Sequence, residues 1–186
     1  MSNLGTFSAQ LLRRPREVSA LVPSSARLCR LMAAQIPASA RRVAELGPGT
    51  GNITREILKI GIEAGNLNLF EINQSFCLML REAYPAVNVF NEPAERLALA
   101  GPEPLDAVVS GLPLLSMSAA QQEAILAAVF SRLSGDGVYI QFTYGPVSPL
   151  RDGILDKYGL AYTRTRRIWL NLPPATVYIY RRLQAD

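Results

Sequence analysis

The stretch V-A-E-L-G-P-G-T-G, residues Val43–Gly51, places three glycines at alternate positions directly after a short apolar run. The residues that follow, Asn52–Leu58, have apolar side chains at helical spacing. The pattern predicts a strand, a tight turn and a helix, which is the layout of a nucleotide-binding βα unit. Because glycine lacks a Cβ, the backbone at Gly47, Gly49 and Gly51 can turn tightly and approach a ligand closely.

The spacing of the glycines indicates which nucleotide is bound. Dinucleotide-binding proteins favour G-x-G-x-x-G, whereas this chain has G-x-G-x-G with Glu45 two residues before the first glycine. A carboxylate there would repel a pyrophosphate but would tolerate the ammonium and sulfonium groups of S-adenosylmethionine (SAM). The pattern resembles the first motif of the class I SAM-dependent methyltransferases. A glycine turn that binds no ligand is the alternative.

A second carboxylate supports a nucleoside ligand. Leu67–Glu71 predicts the next strand, and Glu71 lies twenty positions after Gly51. A carboxylate at the end of this strand can accept hydrogen bonds from both ribose hydroxyls of an adenosine.

The composition predicts one globular domain. The chain has 186 residues, of which 49% are hydrophobic and 18% are charged. Its longest uninterrupted apolar run, Ala124–Phe130, is far shorter than a membrane-spanning helix, and the first residues lack the apolar core of a signal peptide. Cys29 and Cys77 show no metal-ligand spacing, and the chain contains no histidine. We therefore expect a cytoplasmic protein without a metal site and without histidine-based acid–base chemistry.

Charge is unevenly distributed along the chain. The net charge is +6 over residues 1–42, −6 over residues 43–163 and +4 over residues 164–186. Basic ends around an acidic middle indicate an anionic partner, either a membrane surface or a nucleic acid.

Residues 1–22 predict a basic amphipathic segment that contacts a membrane. Its apolar residues fall within an arc of about 140° on a helix. These residues are Leu4, Phe7, Leu11 and Leu12. Arg13 falls on the opposite side, with Arg14 and Arg16 close by, which is typical of a helix lying on an anionic bilayer. Docking of Phe7 and Leu11 on the protein core is the alternative.

Residues 23–186 predict an α/β domain. Strands are predicted at 42–46, 67–71, 87–90, 105–110, 138–144, 160–170 and 176–183, and helices at 26–36, 52–60, 74–83, 118–133 and 149–158. Gly135–Gly137 predicts a turn before the fifth strand. Strands that alternate with helices and end in an antiparallel pair predict a seven-stranded, mostly parallel sheet with helices on both faces.

Four further stretches narrow the resemblance. They are P-S-S (Pro23–Ser25), S-G-L-P-L-L-S-M (Ser110–Met117), Q-F-T-Y-G-P (Gln141–Pro146) and N-L-P-P-A-T-V-Y (Asn171–Tyr178). Together with the glycine turn they resemble the bacterial soluble-type phospholipid N-methyltransferases. The resemblance implies a Rossmann-like class I methyltransferase fold and a SAM-dependent enzyme. It implies methylation of phosphatidylethanolamine and its mono- and dimethyl derivatives towards phosphatidylcholine, with S-adenosylhomocysteine as the product. We expect a monomer that associates peripherally with the inner face of the cytoplasmic membrane.

The same family is distantly similar to the rRNA adenine N6-methyltransferases, which is the main competing interpretation. Those enzymes carry N-L-P-[FY] after the fourth strand, where an amide and an aromatic ring hold an extruded base. This chain has Gly111-Leu112-Pro113-Leu114, without the amide or the aromatic ring. The apolar loop favours a lipid, so no nucleic acid partner is expected. A methyltransferase for a small soluble amine and a membrane-binding protein with a vestigial SAM fold also remain open.

The resemblance implies a set of site residues. The residues expected to bind the cofactor are Ser24, Ser25, Glu45, Gly47, Gly49, Thr50, Gly51, Glu71, Ile72, Pro93, Ala94, Ser110, Gly111 and Leu112. The residues expected to orient or contact the amine are Leu112, through its carbonyl, and Tyr144, Asn171 and Tyr178. Tyr144 is the preferred contact, and Arg16 or Arg151 is expected to pair with the lipid phosphate.

Overall fold

The structure is a computed structural model that describes residues 25–145, 147–150, 152–169, 171 and 173–183. Four predictions lie outside the described residues: the membrane-contacting segment at 1–22, and the site residues Arg16, Ser24 and Arg151.

Strands and helices alternate along most of the described chain. The helices are α1 (Ala26–Ala33), α2 (Asn52–Lys59), α3 (Gln74–Ala83), α4 (Ala119–Arg132) and α5 (Asp152–Tyr158). The strands are β1 (Val43–Leu46), β2 (Leu67–Phe70), β3 (Asn88–Phe90), β4 (Leu105–Ser110), β5 (Leu133–Thr143), β6 (Leu160–Arg164) and β7 (Thr176–Arg182). Short 3₁₀ helices occur at Ala64–Asn66, Ala94–Ala100 and Leu114–Ser116.

The seven strands form one sheet in the order β3-β2-β1-β4-β5-β7-β6. The first five strands of this order are parallel, and β7 runs antiparallel to both β5 and β6. The predicted seven-stranded, mostly parallel sheet with an antiparallel closing pair is therefore confirmed. The strand order reverses between β1 and β4, and ligands of such sheets bind outside the carboxyl ends of the strands at this point. We call this side of the sheet the carboxyl edge.

β5 differs from its prediction because it begins earlier and contains a bulge. Leu133 pairs with Leu105, but Val138 pairs with Ala107, so β5 carries three more residues than β4 over this interval. The turn predicted at Gly135–Gly137 lies within this bulge. A Cβ on Gly137 would lie 3.0 Å from the carbonyl oxygen of Leu105, which explains why a glycine suits this position.

Both faces of the sheet are buried, because helices cover each of them. One apolar cluster joins α1 and α2 to one face, and a second joins α4 and the 3₁₀ helix at Ala94–Ala100 to the other. The strands are therefore apolar on both sides, as in other parallel sheets. Among the described residues, no helix has the length and apolar character needed to cross a membrane.

Candidate functional site

The glycine turn after β1 lies at the carboxyl edge. Gly47, Gly49 and Gly51 have φ values of 69°, 53° and 77°, in the left-handed region that favours glycine. A Cβ on Gly47 would lie 2.8 Å from a Cδ atom of Leu112, so this glycine allows the loop after β4 to pack against the turn. A Cβ on Gly49 would meet no atom within 4 Å. Gly49 therefore borders open space in which a ligand can approach the backbone.

Glu71 follows β2 and joins this turn to the next loop. One carboxylate oxygen accepts a hydrogen bond from the backbone N–H of Gly49 at 3.1 Å, and the other accepts one from the N–H of Asn73 at 2.8 Å. Each carboxylate oxygen has a second lone pair, so two acceptor positions remain for a pair of ribose hydroxyls. Ile72, beside it, is 75% exposed.

Glu45 is fully buried in β1, below the glycine turn. Its Oε2 accepts a hydrogen bond from the hydroxyl of Thr54 at 2.6 Å, whereas Oε1 has no hydrogen-bond partner within the described part of the chain. Burial raises the pKa of this carboxyl to about 8, because the charged form is poorly solvated. A buried carboxyl oxygen without a partner fits the approach of a cation, such as the ammonium group of SAM.

The loop after β4 packs closely against the glycine turn. The N–H of Gly111 donates to the carbonyl of Leu46 at 2.8 Å, and a Cβ on Gly111 would lie 2.8 Å from the carbonyl oxygen of Gly47. Ser110 is buried, and its hydroxyl accepts a hydrogen bond from the N–H of Leu112 at 3.3 Å. The loops after β1 and β4 therefore form one wall of the site.

The carbonyl of Leu112, which is predicted to orient the substrate amine, is hydrogen-bonded within the protein. It accepts hydrogen bonds from the N–H of Leu114 at 2.9 Å and from the side-chain amide of Gln141 at 3.0 Å. A carbonyl oxygen has two lone pairs, and both are used here. These bonds hold the loop after β4 in place, and a role of the Leu112 carbonyl towards the amine stays a prediction.

Asn171 is likewise used within the protein. It is 2% exposed, its Oδ1 accepts a hydrogen bond from the N–H of Ser25 at 3.2 Å, and its Nδ2 donates to the carbonyl of Pro173 at 2.7 Å. These bonds connect the loop before β7 to the residue that caps α1. The side chain of Asn171 therefore braces this junction, and its contact with the amine stays a prediction.

Tyr178 is part of the buried core. It is 1% exposed within β7, and its ring lies 5.4 Å from that of Tyr162 and 6.2 Å from that of Tyr180. This aromatic cluster belongs to the core, and a contact between Tyr178 and a substrate stays a prediction.

Tyr144 follows β5 at the carboxyl edge and is partly buried. Its ring lies 5.2 Å from that of Phe142, and its carbonyl accepts a hydrogen bond from Arg167 at 3.2 Å. Its place at the carboxyl edge supports the predicted contact with the amine, which stays a prediction.

The remaining predicted cofactor residues lie around the same edge. Ala94 is buried, and Pro93 precedes the 3₁₀ helix that Ala94 begins. Thr50 is exposed within the glycine turn, and Ser25 caps α1 by accepting a hydrogen bond from the N–H of Leu28.

Sequence reasoning missed several supporting side chains. Asn91 donates to the carbonyls of Glu71 and Ile72 at 2.9 and 3.1 Å, which fixes the loop after β2. Thr54 and Gln141 are also supporting side chains, because they donate the hydrogen bonds to Glu45 and to the Leu112 carbonyl that are described above. Thr54 lies near the start of α2, one helical turn after Thr50, so this local spacing could have indicated its contact with Glu45. The partner of Gln141 is 29 residues away, and no local pattern indicates that contact.

The geometry defines a class of protein. A doubly wound sheet carries a glycine turn after β1 and a carboxylate after β2, and a buried carboxyl lies beneath the turn. These features are those of the class I SAM-dependent methyltransferase fold.

Comparison with known proteins agrees with this class. No family model matches the chain. An ornithine lipid N-methyltransferase of Singulisphaera acidiphila is 29% identical over 191 residues, which cover 97% of each chain. A glycopeptide N-methyltransferase solved with SAM has a TM-score of 0.67 at 13% identity, over 85% of this chain and 94% of that one. An rRNA methylase of Streptococcus thermophilus has a TM-score of 0.61 at 15% identity, over 84% of this chain and 95% of that one.

The two structural likenesses show the fold, so the predicted class I methyltransferase fold is confirmed. Together with the N-methyltransferase relative, they support SAM as the cofactor and a SAM-dependent methyltransferase as the class of enzyme.

Proposed function

We propose that this protein is a SAM-dependent N-methyltransferase that acts on the headgroup amine of a membrane lipid. The first candidate substrates are phosphatidylethanolamine and its mono- and dimethyl derivatives, on a route towards phosphatidylcholine. The observation that carries the proposal is the apolar loop after β4, which packs against the glycine turn and presents Leu115 with 53% of its surface exposed. The 29% identical relative, named as a lipid N-methyltransferase, supports the same substrate class.

In this proposal, SAM binds across the carboxyl edge of β1, β2 and β4. Gly49 allows close approach of its amino-acid part, Glu45 faces the ammonium group, and Glu71 accepts the ribose hydroxyls. Bound there, SAM supplies a methyl group on a positively charged sulfur. Ile72 and Ala94 flank the adenine, and the N-terminal side is closed by Ser24 and Ser25.

The remaining cofactor contacts in the proposal come from the turn and the two loops around it. These residues are Gly47, Thr50, Gly51, Pro93, Ser110, Gly111 and Leu112.

The substrate amine lies between the loop after β4 and Tyr144. Methyl transfer to nitrogen depends mainly on positioning, since the nitrogen lone pair must point at the methyl carbon. An ammonium has no lone pair, so the headgroup must lose a proton first. Tyr144 contacts the amine through its hydroxyl or its ring face. A tyrosine ring also attracts methylated ammonium products by about 1–2 kcal/mol when water is excluded.

The membrane association of the enzyme remains part of the proposal. Residues 1–22 form a basic segment that brings the catalytic domain, residues 23–186, to the inner face of the cytoplasmic membrane. Arg16 or Arg151 pairs with the lipid phosphate. The enzyme acts as a monomer.

The test is transfer of radiolabelled methyl groups from SAM to defined lipids in mixed vesicles. The substrates are phosphatidylethanolamine, its monomethyl and dimethyl derivatives, and an ornithine lipid, which carries its amine on an amino acid. Free ethanolamine and an rRNA fragment serve as the soluble controls. We expect labelled lipid and no labelled RNA. Equal turnover of free ethanolamine would indicate an enzyme for small amines, and labelled RNA alone would indicate an RNA methyltransferase. Absence of transfer to every substrate would reject the enzymatic proposal.

A further inference from the structure

A groove of about 720 Å³ lies between α1 and the loop that joins β6 to β7. We call it the arginine groove, because Arg27 and Arg30 line one side and Arg166 and Arg167 line the other, with Trp169 at its margin. Within the described part of the chain, none of these four arginines forms an ion pair with a carboxylate. Four cationic groups around an open groove create a strong attraction for anions.

The groove belongs to the carboxyl edge of the sheet. β6 runs in the same direction as β5, so the loop after Arg164 begins at this edge. Arg167 donates a hydrogen bond to the carbonyl of Tyr144, the first residue after β5. The arginine groove is therefore directly connected to the loop that borders the proposed substrate amine.

Exposed apolar side chains accompany the arginines. Trp169 is 75% exposed, and its ring lies 5.4 Å from the guanidinium carbon of Arg167. Val147 and Leu115 are 64% and 53% exposed, and a Cβ on Gly145 would lie 3.2 Å from the side chain of Leu115. The loops after β4 and β5 thus present exposed apolar groups at the same edge of the sheet as the groove, and we call Trp169, Val147 and Leu115 its apolar margin.

We propose that the arginine groove and its apolar margin form a docking surface for the headgroup layer of an anionic bilayer. Arginine binds lipid phosphates, tryptophan favours the interface between headgroups and acyl chains, and aliphatic side chains gain by entering the apolar layer. The phosphate backbone of RNA would satisfy the arginines but would offer nothing to Val147 and Leu115, so the surface fits a membrane better. This docking turns the carboxyl edge, with its cofactor turn, towards the lipid.

The proposed docking surface rests on the proposed lipid methylation, but its binding to vesicles is measured without methyl transfer. Trp169 is the only tryptophan of the chain, so intrinsic tryptophan fluorescence reports on this surface alone. The full chain is titrated with vesicles of phosphatidylglycerol and phosphatidylcholine. Trp169 emission should shift to shorter wavelength and should be quenched by lipids with brominated acyl chains. Sedimentation with vesicles that leaves the emission unchanged would overturn the proposal.

Matched double variants distinguish vesicle binding through this surface from a general effect of net charge. Arg27→Gln with Arg166→Gln should weaken vesicle binding by about 30-fold, at roughly a factor of five for each arginine. The control is Arg41→Gln with Arg181→Gln, which removes the same charge from exposed residues at the opposite edge of the sheet. The control should change binding less than threefold. Equal loss in both variants would reject a specific surface, and so would an RNA fragment that displaces the vesicles at equal phosphate concentration.

Methyl transfer to detergent-dispersed lipid distinguishes this inference from the proposed function. If the chain does not dock on vesicles but methyl transfer is measured, the enzymatic proposal is supported and the proposed docking surface is wrong. If docking succeeds and no lipid is methylated, the surface stands and the enzymatic proposal is wrong.

Discussion

Gly49 and Gly159 share a left-handed backbone conformation, with φ values of 53° and 56°, and a Cβ at either position would meet no atom within 4 Å. Gly49 borders the proposed cofactor space, whereas Gly159 joins α5 to β6. Alanine should therefore cost both variants a similar 1–2 kcal/mol of stability. Only Gly49→Ala should also weaken SAM binding, by tenfold or more, because its methyl group would occupy cofactor space.

The measurement is isothermal titration of SAM into both variants, together with urea unfolding of each. Equal SAM affinity in the wild-type protein and the Gly49→Ala variant would reject the site. A similar loss of affinity in Gly159→Ala would show that the effect comes from stability.

The buried carboxyl of Glu45 predicts a pH dependence of stability. Its pKa is raised from 4.5 to about 8, so the folded protein holds this proton more tightly than the unfolded chain. Its contribution to stability is therefore complete below about pH 4.5 and is lost as the pH rises through about 8. Between pH 6 and pH 8, the free energy of unfolding should fall by about 2 kcal/mol more in the wild-type protein than in Glu45→Gln.

Urea unfolding of both proteins at several pH values measures this difference, and parallel curves would contradict it. The ammonium group of SAM favours the ionised form of Glu45, so cofactor binding near pH 7 should release a proton. The apparent binding enthalpy should then vary with the ionisation enthalpy of the buffer in the wild-type protein and less in Glu45→Gln.

At the level of elements, the junction between α1 and the loop before β7 depends on Asn171. Asn171→Ala removes both of its hydrogen bonds and leaves the N–H of Ser25 without its partner. The variant should lose about 1–3 kcal/mol of stability, and its affinity for SAM should fall because Ser25 is one of the proposed cofactor contacts. Asn171→Asp keeps an acceptor for Ser25 and should lose less.

Unfolding measurements and SAM titrations of both Asn171 variants test this brace. If Asn171 instead contacts the amine, the turnover number should fall while stability stays unchanged. That outcome would support the role predicted from the sequence.

The same junction shows which features could not be predicted from the sequence. The order of strands and helices, the glycine turn and the acids at Glu45 and Glu71 could be predicted, because each depends on patterns and spacings along a short stretch of sequence. The role of Asn171 could not, since its partner Ser25 lies 146 residues away. Tyr178 alternates along its strand like any other strand residue, and only the packing of Tyr162 and Tyr180 shows that it is buried. The extra residues of β5 likewise depend on its register with β4.

In the whole molecule, arginines from both basic ends of the sequence lie around one groove. Two arginines from the first basic stretch and two from the last line the arginine groove, although the acidic middle segment separates the two stretches in the sequence. The remaining N-terminal arginines, Arg13, Arg14 and Arg16, belong to the segment proposed to lie on the bilayer. Two independent sets of arginines would then face one membrane, and their contributions to binding should add.

Substituting Arg13, Arg14 and Arg16 together by glutamine in the full chain tests the N-terminal set. Binding to anionic vesicles should weaken by about 100-fold at low salt, at roughly a factor of five per arginine, and the difference should shrink in 1 M NaCl. Neutral phosphatidylcholine vesicles are the control, since the wild-type protein and the variant should bind them alike. Combined with Arg27→Gln and Arg166→Gln, the losses should multiply, because the two sets are separate. Unchanged sedimentation of the triple variant would show that the groove alone carries the electrostatic attraction and that residues 1–22 have another role.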